Sequence, residues 1–511
     1  MHMSNTPRST LSPDTFAAER LLLLPAEVLL ADGCHSGKAV LIADGCFQEV
    51  DDAQALTRRH PELPPIVLPD QLLMPGFIDT HHHLTQSLGK SLVCGEPSEI
   101  FKRVWVPLEG SLDEDMLQLS AKLAALEALR GGFTTAVDAG TRSAGDTAAI
   151  ALAAEQTGLR CVLGLICNDL GGTAAMHEGP QILQRAERHL ERWEGHSLVK
   201  PSLAISIPEA ASDAMLHATS ALCAEAGTVF QTHVNEHLQA VERSLVARRQ
   251  RPLEHLHAVG ALGPQALVAH ATLVTPDELN LLRDTDTAVA FNPVASAWKG
   301  NAVAPALQMA AMGIRFGLGT DGTRSDAFRL MDAAETSQRL AFGLASGDSS
   351  CGGGWRWLEH ATRGAADVAG LTGLTGEIAP GLAADFLLVD LDVPEMTPSW
   401  DRPWELVRYA NRDQLTGVFT NGRLRCWQGW PVGWDARALL RQVREASAAV
   451  HQAPIYRVHA TAAQHRALHP SRQHSPQHSP QHTQHDSPSL SRHRQDASPQ
   501  SNQHTTERHH P

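Results

Sequence analysis

Apolar and polar positions along this 511-residue chain follow two rhythms. Between about residues 71 and 375, short β-prone apolar runs alternate with longer stretches whose apolar residues return every three or four positions. The short runs predict strands at 76–83, 134–139, 160–167, 198–207, 228–233, 267–270, 288–292 and 315–321, because a buried strand needs only a brief run bounded by turn residues. The stretches between them predict helices. Over 116–130, Leu119, Leu123, Leu126 and Leu129 stripe one helical face, which a neighbouring layer would cover. Eight such alternations predict an α/β chain folded as a (β/α)8 TIM-type barrel over 71–375, since open doubly wound sheets rarely reach that number.

Outside the barrel the rhythm shortens. Residues 20–70 break apolar runs with Asp and Gly, as in Val40-Leu41-Ile42-Ala43-Asp44-Gly45. Residues 376–432 do the same, and Asn421-Gly422 is a strong hairpin signal because both positions accept the left-handed backbone such turns need. The two ends therefore predict one small β-sandwich domain flanking the barrel. Residues 1–19 predict a flexible N-terminus and 433–458 a C-terminal helix. The remainder, 459–511, is rich in His, Gln, Ser and Pro and holds 11 of the 28 histidines. With little apolar surface to bury, it predicts a disordered tail, for which loose binding of divalent metal is a second use.

Composition narrows the function classes. A net charge of −14 excludes nucleic acid and anionic membrane as main partners; the densest basic run, Arg248-Arg249-Gln250-Arg251, is short. No stretch reaches the roughly 20 apolar residues of a transmembrane helix, and Met1 to Leu11 lacks the pattern of a signal peptide. Eight scattered cysteines without a C-x-x-C pair fit reduced thiols in a cytoplasmic protein.

Chemistry gathers at the predicted strand ends. Phe77-Ile78-Asp79-Thr80-His81-His82-His83 ends the first strand in histidines, of which His81 and His83 share a face. Phe230-Gln231-Thr232-His233-Val234-Asn235-Glu236 follows the same plan, as do Leu267-Val268-Ala269-His270 and Gly317-Leu318-Gly319-Thr320-Asp321. A barrel carries its active site on the C-terminal strand ends. His81, His83, His233 and Asp321 would thus supply three imidazoles and a carboxylate to one divalent ion, zinc or ferrous iron, with a position open for water. Such an ion lowers the pKa of bound water from ~16 to ~7. Asp321 could also take that water's proton, Glu236 could donate a proton to substrate, and His270 could hydrogen-bond the attacking oxygen.

Two competing readings bear on the same site. His233-Val234-Asn235-Glu236-His237 matches H-x-x-E-H, a metallopeptidase signature that requires a helix; Thr228, Val229, Phe230 and Thr232 favour a strand instead, leaving His237 in a loop. A second metal would need a bridging lysine at the end of the fourth strand. Lys200 stands at its beginning, so one ion is expected.

These residues resemble the amidohydrolase superfamily, and within it the aminohydrolase branch of cytosine, guanine, 8-oxoguanine and adenosylhomocysteine deaminases and triazine hydrolases. The resemblance covers roughly 20–432. It rests on Pro75 through His83, Glu127 through Asp138, His233 through Glu236, Ala269-His270-Ala271, Gly319 through Gly322 and Gly376 through Asp385. It implies the roles already given to His81, His83, His233, Glu236, His270 and Asp321, and a mainly structural Asp138. Trp105 lies in a segment resembling the entry to the second barrel unit, where packing is its expected role. One departure stands out. The family's N-P-x-S-N after the seventh strand is Asn292-Pro293-Val294-Ala295-Ser296 here, on an expected rim loop, so no particular substrate carries over.

The expected activity is metal-dependent hydrolytic deamination of a small N-heterocycle, releasing ammonia, by a homo-oligomer. Hydrolysis of a carbon–halogen, alkylamine or cyclic amide bond on a related ring is the first alternative. A non-catalytic metal-binding protein is the second.

Overall fold

Eight parallel strands of a computed structural model, which describes residues 11–96, 100–170, 179–347, 350–450 and 452–458, occupy the expected positions. They are Phe77–His82, Phe133–Asp138, Arg160–Ile166, Val199–Ile205, Phe230–Val234, Ala266–His270, Ala288–Phe291 and Phe316–Leu318, each paired with the next in sequence. The eighth returns to the first through Asp321 N–H, which donates to His81 O at 2.9 Å. The Asp79 carboxylate strengthens this seam by accepting from Thr320 N–H at 2.9 Å and from the Thr320 hydroxyl.

Alternation along the strands builds two apolar layers. Ile78, Val137, Val162, Leu267 and Ala290 pack together inside, with Ala366 and Val368 beneath them. Phe77, Phe133, Leu163, Phe230, Val268 and Phe316 belong to the outer layer under the helices. Helix Glu114–Arg130 starts at Asp113, whose side chain accepts from Met116 N–H, satisfying a helix-end donor. Leu117, Leu123, Leu126 and Leu129 are buried. Leu119 is only partly covered, packing with Leu126 against Ala436 and Leu439 of helix Ala436–Val450. That helix is the ordered part of the expected 433–458 helix; 452–458 is irregular.

The two chain ends share one separate nine-stranded sheet, in which Ile66–Pro75 pairs antiparallel with Phe386–Asp390. Its strands are continuously hydrogen-bonded, and Leu21, Leu23, Val40, Ile42, Phe386 and Phe419 gather into one core. Asn421 and Gly422 have φ of 49° and 67°, the left-handed pair the hairpin requires. Two boundaries differ from expectation. The sheet runs on to Pro75 and yields to the barrel at Gly76, whose N–H still bonds Asp385 O while Phe77 N–H bonds Gly132 O. A Cβ on Gly76 would stand 2.1 Å from Thr134 Oγ1, so only glycine lets the chain cross. Within the expected flexible start, Pro13–Phe16 forms a short turn and Phe16 is buried against Phe419 and Trp427, because an aromatic ring beside an apolar sheet face buries itself. Residues 1–10 and the tail 459–511 lie outside the described residues. Among the described residues no helix is long and apolar enough to cross a membrane, and all eight cysteines are free.

Candidate active site and metal centre

Four strand ends converge at the C-terminal rim. Between the first two strands the pairing slips between Asp79 and His82, a bulge of the kind that re-aims side chains at barrel rims. Asp138 accepts from Leu84 N–H at 2.8 Å and Gly140 N–H at 3.1 Å, pinning the turn behind His83. Positive φ recurs at Asn235, His270, Ala271 and Asp321, at 48°, 75°, 47° and 54°. Such backbone is costly for residues other than glycine and collects at functional sites. It is fixed here by hydrogen bonds: Asn235 Nδ2 donates to Glu278 Oε1 at 2.8 Å, and Thr272 Oγ1 donates to the carbonyls of Asn235 and Glu236 at 2.8 Å.

His81 Nε2 and His83 Nε2 lie 3.1 and 3.2 Å from His233 Nε2. Asp321 Oδ1 is 3.4 Å from the first and 3.3 Å from the second. Four donors around one ion at zinc distances would be separated by about 3.3–3.4 Å. The chemistry of the set fits too. His233 Nδ1 donates to Ser206 O at 2.7 Å, leaving a lone pair on Nε2, the arrangement by which an outer hydrogen bond orients a ligand. Burial holds the His233 and His83 rings below the ordinary imidazole pKa, so neutral nitrogens face one another with a carboxylate beside them. A cation at their centre would satisfy all four.

Beside this seat, His270 Nε2 is 3.8 Å from Glu236 Oε2 and has no hydrogen-bond partner among the described residues. Asn292 Nδ2 lies 3.2 Å from His270 Nδ1, and burial lowers the His270 pKa to about 4. The neutral ring therefore turns an Nε2–H toward Glu236. Glu236, His270 and Asp321 have oxygen or nitrogen atoms within 4.8 Å of one another. All six residues singled out in the sequence are thus brought together.

Lys299 was not foreseen. The expected rim loop after the seventh strand is a short helix, Pro293–Lys299, begun by a proline in its first turn where no N–H is needed. Its last residue turns back so that Lys299 Nζ sits 2.7 Å from Glu236 Oε1 and 2.6 Å from Asp321 Oδ2. Burial would raise both carboxyl pKa values, but the Lys299 ammonium outweighs it. Glu236 falls to about 2 and Asp321 well below the carboxylate range. Glu236 is therefore a carboxylate at rest and must collect a proton before it can donate one. Glu209 was missed as well; it lines the cavity with a buried Oε1 lacking a hydrogen-bond partner among the described residues. Trp105, expected only to pack, also lines the cavity.

The competing readings resolve geometrically. His237 caps helix Leu238–Arg248, accepting at Nδ1 from Ala240 N–H at 3.2 Å, and His233 sits on a strand, so no peptidase helix exists. Lys200 Nζ donates to Gly370 O at 2.6 Å, a contact away from the histidines.

Polar groups collected on the strand ends, with a candidate ion seat beside two further titratable side chains, are the arrangement expected of barrel hydrolases that use a metal to activate water. The profile described as Amidohydrolase family matches residues 72–425, and the chain belongs to that family. It is 29% identical to a 5-methylthioadenosine/S-adenosylhomocysteine deaminase of Nitratidesulfovibrio vulgaris (strain Miyazaki F) over 415 residues, 80% of this chain and 91% of the relative. It is 27% identical to the 8-oxoguanine deaminase of Pseudomonas aeruginosa over 452 residues, 83% and 98% of the two chains. Among solved structures it is similar to a zinc-bound adenosine deaminase from Xanthomonas campestris, with TM-score 0.77, 23% identity and coverage of 84% and 98%. An atrazine chlorohydrolase from Arthrobacter aurescens, complexed with zinc, gives TM-score 0.72 at 19% identity, covering 84% and 100%.

Proposed function

We propose that this chain removes an exocyclic amine from a small N-heterocycle by hydrolysis, using one zinc ion held by His81, His83, His233 and Asp321. The observation that carries the reading is the convergence of three imidazole nitrogens and a carboxylate oxygen next to Glu236 and His270. Deaminase names on the relatives and zinc in the similar structures support it. An aminated purine is the first ring class to test.

A divalent ion in this seat would make a water a strong nucleophile near neutral pH. Asp321 and Glu236, both held ionised beside Lys299, would be the groups to take that water's protons. Glu236 passes one to the ring nitrogen next to the carbon under attack, while His270 Nε2–H donates to the incoming oxygen. Proton return to the exocyclic nitrogen through Glu236 or Asp321 turns it into ammonia. Water thus supplies the new oxygen, and the ring amine leaves with the protons. The test is ammonia release by zinc-loaded full-length protein from purines, pteridines, pyrimidines and triazines. Chloride release from chlorinated rings with no ammonia from any amine would overturn the reading in favour of dehalogenation.

A further inference from the structure

The reacting centre opens into a cavity of about 320 Å³. One wall of it is a single turn of π-helix, Phe101–Trp105, from which Phe101, Arg103 and Trp105 face the space that His233 and Asp321 also line. Such turns are rare and recur at functional sites; this one is held at two points. At its start, the Arg142 guanidinium lies 4.3 Å from the Phe101 ring centre and pairs with buried Glu109 at 2.7 Å. In its middle, Arg103 is held by a stretch of chain 353 residues further on.

That stretch follows helix Ala436–Val450 and belongs to neither the barrel nor the nine-stranded sheet. From Ala453 to Val458 half-buried and exposed residues alternate, as in an extended strip with one face laid on the protein. Tyr456 makes two hydrogen bonds with Arg103. Its N–H donates to Arg103 O at 2.9 Å, and its carbonyl accepts from Arg103 Nη1 at 3.2 Å. The fully buried Glu96 carboxylate ties the two segments together. It lies 2.9 Å from Arg103 Nη1 and 3.2 Å from Arg457 Nε, and it accepts from Val458 N–H at 2.9 Å. Charge-assisted bonds of this kind are the strong ones, and a buried carboxylate is tolerated only with such partners. Glu96 also lines a second cavity, of about 260 Å³, together with Trp105, Lys299 and Asp321. The tie therefore stands next to the reacting centre.

We infer that residues 452–458 are a strap that sets the Phe101–Trp105 wall against the substrate, with Arg457 and Glu96 as positioning residues acting through Arg103. The inference rests on the deaminase reading for the nature of that substrate. The strap adds no group to the chemistry. It keeps the cavity in its binding shape, so its loss raises KM and spares kcat.

The test compares zinc-loaded full-length protein with Arg457→Gln, Arg457→Lys and Tyr456→Pro. Glutamine removes the charge but leaves Glu96 its contacts with Arg103 and Val458; lysine puts the charge back. Proline deletes the N–H that Arg103 O accepts, at a residue whose side chain is exposed. Ammonia release from an aminopurine, an aminopteridine, an aminopyrimidine and an aminotriazine gives kcat and KM for each ring that turns over. Hydrogen exchange reports opening of the 101–105 amides without any substrate. We expect Arg457→Gln and Tyr456→Pro to raise KM by about three- to tenfold, the scale of one hydrogen bond, with kcat within about twofold. Exchange over 101–105 should quicken by a similar factor, and Arg457→Lys should regain most of both. Metal content and melting temperature check that each variant folds; should one fail, the other decides. An unmoved KM or unmoved exchange in a folded variant would overturn the inference, as would a loss confined to kcat. No ammonia from any ring would sink the deaminase reading alone. Exchange would then decide the strap, which stands if exchange over 101–105 quickens and falls if it does not.

Discussion

Replacing Lys299 with methionine isolates the electrostatics of the site, because methionine fills similar space without charge. Lys299 Nζ stands 2.7 Å from Glu236 Oε1, where opposite charges attract by about 6 kcal/mol at an effective dielectric of 20. Burial takes back much of that. What remains still draws the Glu236 carboxyl down from its ordinary 4.5 to about 2, with the Lys299 ammonium the largest cause that lowers it and His270 adding to it. Without the ammonium, burial and Asp321 both push Glu236 upward, with His270 opposing them, so its pKa should return to or above 4.5. A bound ion acts on both proteins alike, so the difference between them is what is read. The sign follows directly: Glu236 must be ionised to collect a proton, so a raised pKa costs activity at low pH. The assay is kcat/KM for ammonia release from pH 4.5 to 9 at verified metal occupancy. The acid limb of Lys299→Met should move up by at least one unit, while the pH 8 plateau changes less than the rate at pH 5. An unmoved acid limb at full occupancy would show that Lys299 does not hold Glu236 ionised in the working enzyme.

Further expectations follow from the same geometry. His233→Ala should lose bound metal and activity together by elemental analysis, since it removes a nitrogen from a four-donor seat; retained metal would contradict its role. Protein ending at Val458 should hold one divalent ion and keep turnover within about twofold, because a polar segment with little to bury makes few packed contacts. Two stoichiometric ions in that protein would refute the single seat. Gly76→Ala should lower stability by about 1–3 kcal/mol in chemical denaturation, its Cβ being driven to 2.1 Å from Thr134 Oγ1; an unchanged midpoint would show that the crossing can relax.

The barrel and the six residues that converge at its rim were legible because each strand is a local apolar run that delivers one polar group at its end. His81, His83, His233, His270 and Asp321 announce themselves by that position, and Glu236 by standing just beyond it. Lys299 does not. It ends a seven-residue helix whose sequence departs from the family pattern at Ala295 and Ser296, and only the turn of that helix returns its ammonium to Glu236. Asp79 was hidden for a different reason. It closes the seam between the first and eighth strands through Thr320, a contact separated by 241 residues that no local pattern encodes. Glu209 follows the fourth strand in a short turn, and its orphaned oxygen is visible only once the cavity exists. The sheet boundary at Gly76 was similarly obscured, since the apolar run from Leu72 to Ile78 crosses two domains without a break in hydropathy.

The central claim is that Glu236 moves protons beside an ion it does not hold. Glu236→Gln preserves shape and leaves the three histidines and Asp321 in place. Metal content and the rate of ammonia release, measured on the same preparation, test the claim most directly. The account predicts unchanged metal and a kcat lower by at least about a hundredfold, within the range general acid–base catalysis supplies. Loss of the metal would make Glu236 a ligand, and full activity with metal retained would assign the proton to another group; either result would contradict the account.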